Sequence, residues 1–178
     1  MLDLSVAYNR YRFLGDEFLT WLWYLVENGQ DAFRSADPDC MALEIGNRVV
    51  LENRKGKSIE RITIKGDDAG LEEGKMALKK GALVTELALV FKTGDHEWQF
   101  SIKGESLNLS SLKVPGPALP QSPEEMEPFL LDKTQQFYKL IDFIKKMYKS
   151  FIKIRISSGW SSKTTPAIKK WVKMVEAA

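Results

Sequence analysis

The 178 residues hold one cysteine, Cys40, and one histidine, His96. A lone thiol excludes an internal disulfide framework and fits a reducing cytoplasm. One Cys and one His are also too few for a Cys/His zinc site within a single chain. No apolar run approaches the roughly eighteen residues that span a bilayer. Met1–Arg12, with Asp3, Arg10 and Arg12, lacks the apolar core of a signal peptide. No internal repeat or low-complexity tract stands out, and neither G-x-x-x-x-G-K-S/T nor G-x-S-x-G occurs, so no phosphate loop or nucleophile elbow is written here.

The scarcity with the largest consequence is of acid near the C-terminus. Lys133–Lys173 holds eleven Lys/Arg against one acid, Asp142, a net charge of +10. Residues 1–132 hold fifteen basic and twenty-two acidic residues, a net of −7, and Glu176 brings the total to +2. A nearly neutral chain has gathered its positive field into its last quarter, and such a field acts on polyanions before contact.

With 44% apolar residues the chain is long enough for one ordinary core. Residues 1–12 read as a short lead-in or strand. Asp16–Asn28 reads as a helix with Asp16 and Glu17 in its first turn and Gly29 after its end. Phe18, Trp21, Leu22, Leu25 and Val26 form its apolar stripe. Asn28–Asp39 reads as a polar loop. Met41–Ile45 and Arg48–Glu52 read as short strands joined by a Gly46-Asn47 hairpin turn. After a turn at Arg54–Lys57, Ile59–Lys65 is a strand. Leu71–Lys80 is a helix capped by Gly81. Ala82–Lys92 and Glu97–Lys103 form a hairpin across Thr93-Gly94-Asp95, and Leu109–Val114 adds a short strand.

Pro115 to Pro128 contains five prolines and reads as a stiff tether. Leu130–Ile156 then has helical spacing, stopped by Ser157-Ser158-Gly159, and Pro166–Val175 starts a last helix on a proline. The expected fold class is α+β: an antiparallel sheet with an N-terminal helix and a helical, basic C-terminal region. Residues 1–114 form the sheet domain, 115–128 the connection, and 129–178 a basic helical region packed on the same domain.

The basic stretch supplies the candidate site: Lys139, Lys145, Lys146, Lys149, Lys153, Arg155, Lys163, Lys169, Lys170 and Lys173. Clustered cations bind phosphates by displacing counterions and need no fixed spacing. The bland alternative is a solvated lysine face, but the usual interleaved acids are missing; an anionic membrane surface is the weaker rival. Lysine outnumbers arginine, which disfavours bidentate base reading. Trp21, Trp23 and Tyr24 could stack on bases, although an apolar helix of this kind belongs first to a core. Trp160, Ser161, Ser162 and Tyr148 are weaker contact candidates. Asp67, Asp68, Glu72, Glu73 and Glu86 invite a metal-dependent nuclease reading, but turn and cap roles account for Asp67 and Asp68. His96 has no acid–base partner in sequence, and Cys40 with one distant His makes a poor nucleophile.

Several strings in order resemble the C-terminal half of RdgC-like proteins, the recombination-associated DNA-binding family. They are Leu14-Gly-Asp-Glu-Phe-Leu-Thr-Trp-Leu-Trp-Tyr24; Lys75-x-x-Leu-x-x-Gly-x-Leu-Val-Thr-Glu-Leu-Ala-Leu89; Trp98-x-Phe100; Leu109-x-x-Leu112-Lys113; Phe151-x-x-x-Arg155-x-Ser-x-x-Trp160; and Ile168-x-x-Trp171. They run collinearly across about residues 14–175, and their order rather than any one motif carries the likeness. The resemblance implies a non-enzymatic, cofactor-free, nucleoid-associated protein that binds duplex DNA with little sequence preference and modulates recombination. It also implies a homodimer, since family members form a dimeric ring with a positive hole. The family's N-terminal half, which helps close that ring, has no counterpart in these strings. The alternative expectation is an adaptor or inhibitor from a phage, mobile element or defence system, docking an acidic protein.

Overall fold

In a computed structural model, which describes residues 13–55, 58–65 and 68–174, the chain folds as α+β. Helix α1 is Phe13–Asn28, α2 is Asp31–Ala36, α3 is Asp68–Lys79, α4 is Met126–Arg155 and α5 is Thr165–Lys173. Strands β1 (Cys40–Lys55), β2 (Ser58–Lys65), β3 (Leu83–Thr93), β4 (His96–Lys103) and β5 (Leu109–Lys113) form one antiparallel sheet in the order β2-β1-β3-β4-β5. The expected lead-in at residues 1–12 lies outside the described residues, as do residues 56–57 of the expected turn.

Alternation explains which face is covered. Leu87, Leu89 and Phe91 of β3 and Trp98, Phe100 and Ile102 of β4 are buried on one side, whereas Lys92, Glu97, Gln99 and Lys103 point to the other. Helix α1 lays Phe18, Leu19, Leu22 and Trp23 into the same core. The C-terminal helices join it: Leu140, Phe143, Met147 and Phe151 of α4 and Trp171 and Val172 of α5 belong to the one buried cluster. Phe143 stacks on Phe91 with ring centroids 4.3 Å apart, and the Trp98 indole donates to the Gln136 carbonyl at 3.0 Å. Thus α4 is locked to the sheet by apolar area and one buried donor. At Gly15 the start of α1 meets the β4–β5 turn so closely that a Cβ would sit 1.7 Å from the Gly104 carbonyl oxygen.

The Gly46-Asn47 hairpin does not form. β1 runs straight through it as a bulge, with Ile45 opposite Leu89 and Val49 opposite Leu87, so residues 46–48 face Ala88 alone. The long apolar face of β3 offers partners to both halves of β1, and Gly46 permits the close approach: a Cβ there would lie 3.1 Å from that of Ala88. The extra residues come in a pair, so Leu43, Val49 and Leu51 still reach the core. The polar loop at Asn28–Asp39 contains α2, held by buried Phe33 and Ala36; six residues with so few apolar positions carry too little periodicity to announce a helix.

The proline tether is shorter than read. A 3₁₀ turn at Pro123–Glu125 leads directly into α4, where Pro128 sits in the first turn and forfeits no helical hydrogen bond. The Ser157-Ser158-Gly159 stop is only a break at Ile156–Ser157. Helical backbone resumes at Ser158 and passes through a wide π-turn, Trp160–Thr164, into α5. Pro166 lacks the N–H for an ordinary helical bond and crowds the carbonyl one turn back, which a wider turn relieves.

Candidate nucleic-acid interface

α4 is 30 residues, about 45 Å at 1.5 Å per residue. Its buried residues Leu140, Phe143, Met147 and Phe151 recur at helical spacing. That fixes its rotation, so Lys145, Lys149 and Lys153, four residues apart, lie on the side turned away from the core and are exposed. In α5, buried Trp171 and Val172 set the rotation in the same way, and exposed Lys169, Lys170 and Lys173 group on the outer side with Pro166 and Met174. Lys163 is exposed on the intervening π-turn.

The ten candidate cations divide by partner. Lys139 lies 3.9 Å from Asp37 and 3.2 Å from Asp39 in the α2–β1 connection. Lys146 pairs with Asp142 at 2.8 Å one turn away; this hydrogen bond lowers the Asp142 pKa and raises that of Lys146. Arg155 pairs with Glu17 of α1, and its guanidinium stands 5.3 Å from the Trp160 ring and 5.9 Å from that of Phe13. It is a clamp between α1 and the end of α4. The remaining seven, Lys145, Lys149, Lys153, Lys163, Lys169, Lys170 and Lys173, have no acidic partner among the described residues. Charges left solvated and unneutralised are the ones able to exchange counterions for phosphates.

Other candidates fall elsewhere. Trp21 and Trp23 are buried, and the Trp23 indole donates to Glu27 at 2.9 Å. Tyr24 packs edge-on against Trp171. These aromatics belong to the core and are closed to a base. Tyr148 packs edge-on to Phe18, and burial raises its pKa. Trp160 is half-buried against Phe151, Ser161 is exposed, and Ser162 donates to the Ser158 carbonyl. Glu86 is buried on the outer sheet face 3.7 Å from Arg48 and 3.9 Å from Arg61, while Glu72 and Glu73 are exposed on α3. Asp67 and the side chain of Asp68 lie outside the described residues. Among the described residues no group of three or more His, Cys, Asp or Glu is placed to hold a metal ion. His96 is exposed at the β3–β4 turn. Cys40 is buried, and burial together with the nearby Asp37 carboxylate pushes its thiol up to about 11, far from a thiolate nucleophile.

One feature was not legible in the sequence. A cleft of about 560 Å³ opens beside the basic residues, walled by Leu78, Ala82, Leu83, Ile168 and Val172, with Trp160, Lys79, Lys169 and Lys173 also among its lining residues. Lys79 is some ninety residues from the other two, and only the packing of α5 on α3 joins them. Among the described residues no helix is long and apolar enough to cross a membrane. No family model matches the chain, and no curated protein sequence matches it.

Proposed function

We propose that this protein binds DNA through the sugar-phosphate backbone, with little sequence preference, and thereby modulates recombination or access to DNA. The observation that carries the reading is the set of seven lysines that have no acidic partner among the described residues, on the outward sides of α4, the π-turn and α5. Lysine presents a point charge that neutralises phosphate without reading base edges. Helices fixed to a sheet hold these charges as a ridge, so little ordering entropy opposes binding. The RdgC-like strings support the same partner and a role without catalysis. A nucleoid location in the cytoplasm follows from that reading.

The test is an electrophoretic mobility shift with duplex and single-stranded DNA across a salt series. Duplex binding that weakens steeply with salt is expected, and Lys145, Lys146, Lys149 and Lys153 all changed to Glu should abolish the shift. Full binding by that variant, or binding insensitive to salt, sinks the proposal. Recovery of one acidic protein in a pull-down, with no DNA shift at low salt, establishes the adaptor reading instead.

A further inference from the structure

Three helices converge on the cleft of about 560 Å³. Thr165, Ile168, Lys169, Val172 and Lys173 all line it and recur at helical spacing, so one whole side of α5 forms a wall. Leu78 and Lys79 at the end of α3, with Ala82 and Leu83 leading into β3, form a second. Glu17 and Thr20, about one turn apart on α1, complete it. Each helix is anchored beside the cleft by buried residues of the one core, Phe18 of α1, Ala77 of α3 and Trp171 of α5. The walls are therefore held by the fold itself, and the volume is that of an ordinary small-molecule site, roughly 300–1,000 Å³.

The lining has two characters. Leu78, Leu83, Trp160 and Ile168 are each only half-buried, so apolar surface stays in contact with water inside a concavity. The charge beside it is of one sign. Lys79, Lys169 and Lys173 line the cleft, while Glu17, the one acid among its lining residues, is already held by Arg155. Lys169 and Lys173 have no acidic partner among the described residues. No Asn, Gln, Arg or His is among the lining residues, and the Thr20 hydroxyl donates to the Asp16 carbonyl. The side chains that read the edges of a base are thus missing, and recognition here rests on apolar contact and charge.

We infer that this cleft binds a small free amphipathic anion, a molecule with a hydrocarbon body and a single carboxylate head. The body covers Leu78, Leu83, Ile168 and Trp160, and the carboxylate pairs with Lys169 and Lys173. A cation with the same body is repelled by the lysines, and a carboxylate without a body leaves the apolar walls wet. The site shares Lys169 and Lys173 with the basic ridge. It is tested without nucleic acid, so the inference stands or falls apart from the DNA reading.

The test is isothermal titration calorimetry of the full chain with sodium decanoate below its micellar concentration. One decanoate per chain is expected, with a dissociation constant below about 1 mM. Acetate, which has the head alone, and decyltrimethylammonium, which has the opposite charge, should each bind at least about tenfold more weakly. Lys169→Glu and Lys173→Glu should each weaken decanoate about tenfold or more with an unchanged circular dichroism spectrum, because both side chains are exposed. Lys170→Glu is the control: its lysine is next in sequence and equally exposed but does not line the cleft, so decanoate affinity should stay within about threefold of wild type. Absence of binding at about 5 mM decanoate, decyltrimethylammonium bound as tightly as decanoate, or a Lys170 variant as weak as the Lys169 one would each overturn the inference. So would binding to phosphatidylglycerol vesicles with none to free decanoate, which would make the ligand a membrane surface.

Discussion

Replacing Lys169, Lys170 and Lys173 with Gln measures how the proposed interface works. The three are exposed on one side of α5, have no acidic partner among the described residues, and lie away from the buried Trp171 and Val172. Their loss removes charge while leaving packing alone. If all seven unpaired lysines reach phosphates, log affinity falls against log salt with a slope of about −0.9 per contact, or about −6. From 50 to 200 mM salt that amounts to nearly four decades. The triple variant retains four contacts, a slope of about −3.6 and a loss of about two decades over the same range. The change in slope, about 2.7, holds however many of the other four engage. Lys139→Gln is the control, because Asp37 and Asp39 already neutralise that amine; its slope should stay at the wild-type value, where the loss of one phosphate contact would change it by about 0.9. Fluorescence anisotropy on a labelled duplex at five salt concentrations gives the slopes directly. A triple variant with the wild-type slope, or a Lys139 variant whose slope changes by the full ~0.9 of a phosphate contact, would refute the division into paired and free cations.

Two further outcomes follow from the core. Glu27 accepts from the Trp23 indole at 2.9 Å and the Trp171 indole at 2.8 Å, and pairs with Lys75 of α3 at 2.6 Å. Glu27→Ala should therefore cost about 2–4 kcal/mol and lower the melting temperature by roughly 5–15 °C, read by calorimetry, since two indole donors and an amine lose their acceptor; a change below 1 °C would show that these bonds are not maintained. For Cys40, whose folded thiol titrates near 11 against an ordinary 9.0, the unfolded chain ionises first. Its contribution is thus complete below about pH 9 and is lost as pH rises from 9 towards 11, by at most about 1.4 kcal/mol per pH unit. Urea unfolding of wild type and Cys40→Ala should show free energies that converge across that window and run parallel at pH 7 to 8.5; a constant difference from pH 7 to 11 would contradict the assigned shift.

Much of the fold was legible because the sequence is strongly periodic where burial is strong. Trp98, Phe100 and Ile102 alternate because they line one sheet face, and Leu140, Met147 and Phe151 recur because they line one helix face. The errors came where a local signal competed with a distant partner. Gly46-Asn47 carries hairpin chemistry, but β3 pairs with both flanks, and its contacts outweigh the turn preference. Ser157-Ser158-Gly159 carries stop chemistry, but Trp160 packs on Phe151 and the buried Trp171 draws the chain back into helix. The charge imbalance of the site was readable by counting. Which cations are free was not, because Asp37, Asp39 and Glu17 reach their partners across a hundred residues or more.

The division between paired and free cations also bears on specificity. Of the eleven basic residues in Lys133–Lys173 only one is an arginine, Arg155, and it is held by Glu17 with its guanidinium between Phe13 and Trp160. Guanidinium is the group whose fork reads guanine and whose plane stacks well on aromatics. Here it joins α1 to the turn after α4 and so fixes the direction in which the ridge leaves the core. What remains on the outer surface is lysine, with three donors on a flexible stem and no preferred approach. The arginine is tied up in shaping the ridge, and under the proposed function the lysines left to contact DNA would supply charge without base discrimination. A site built this way should tolerate any duplex sequence, and changing Arg155 should weaken binding by loosening the ridge rather than by altering which sequences are bound.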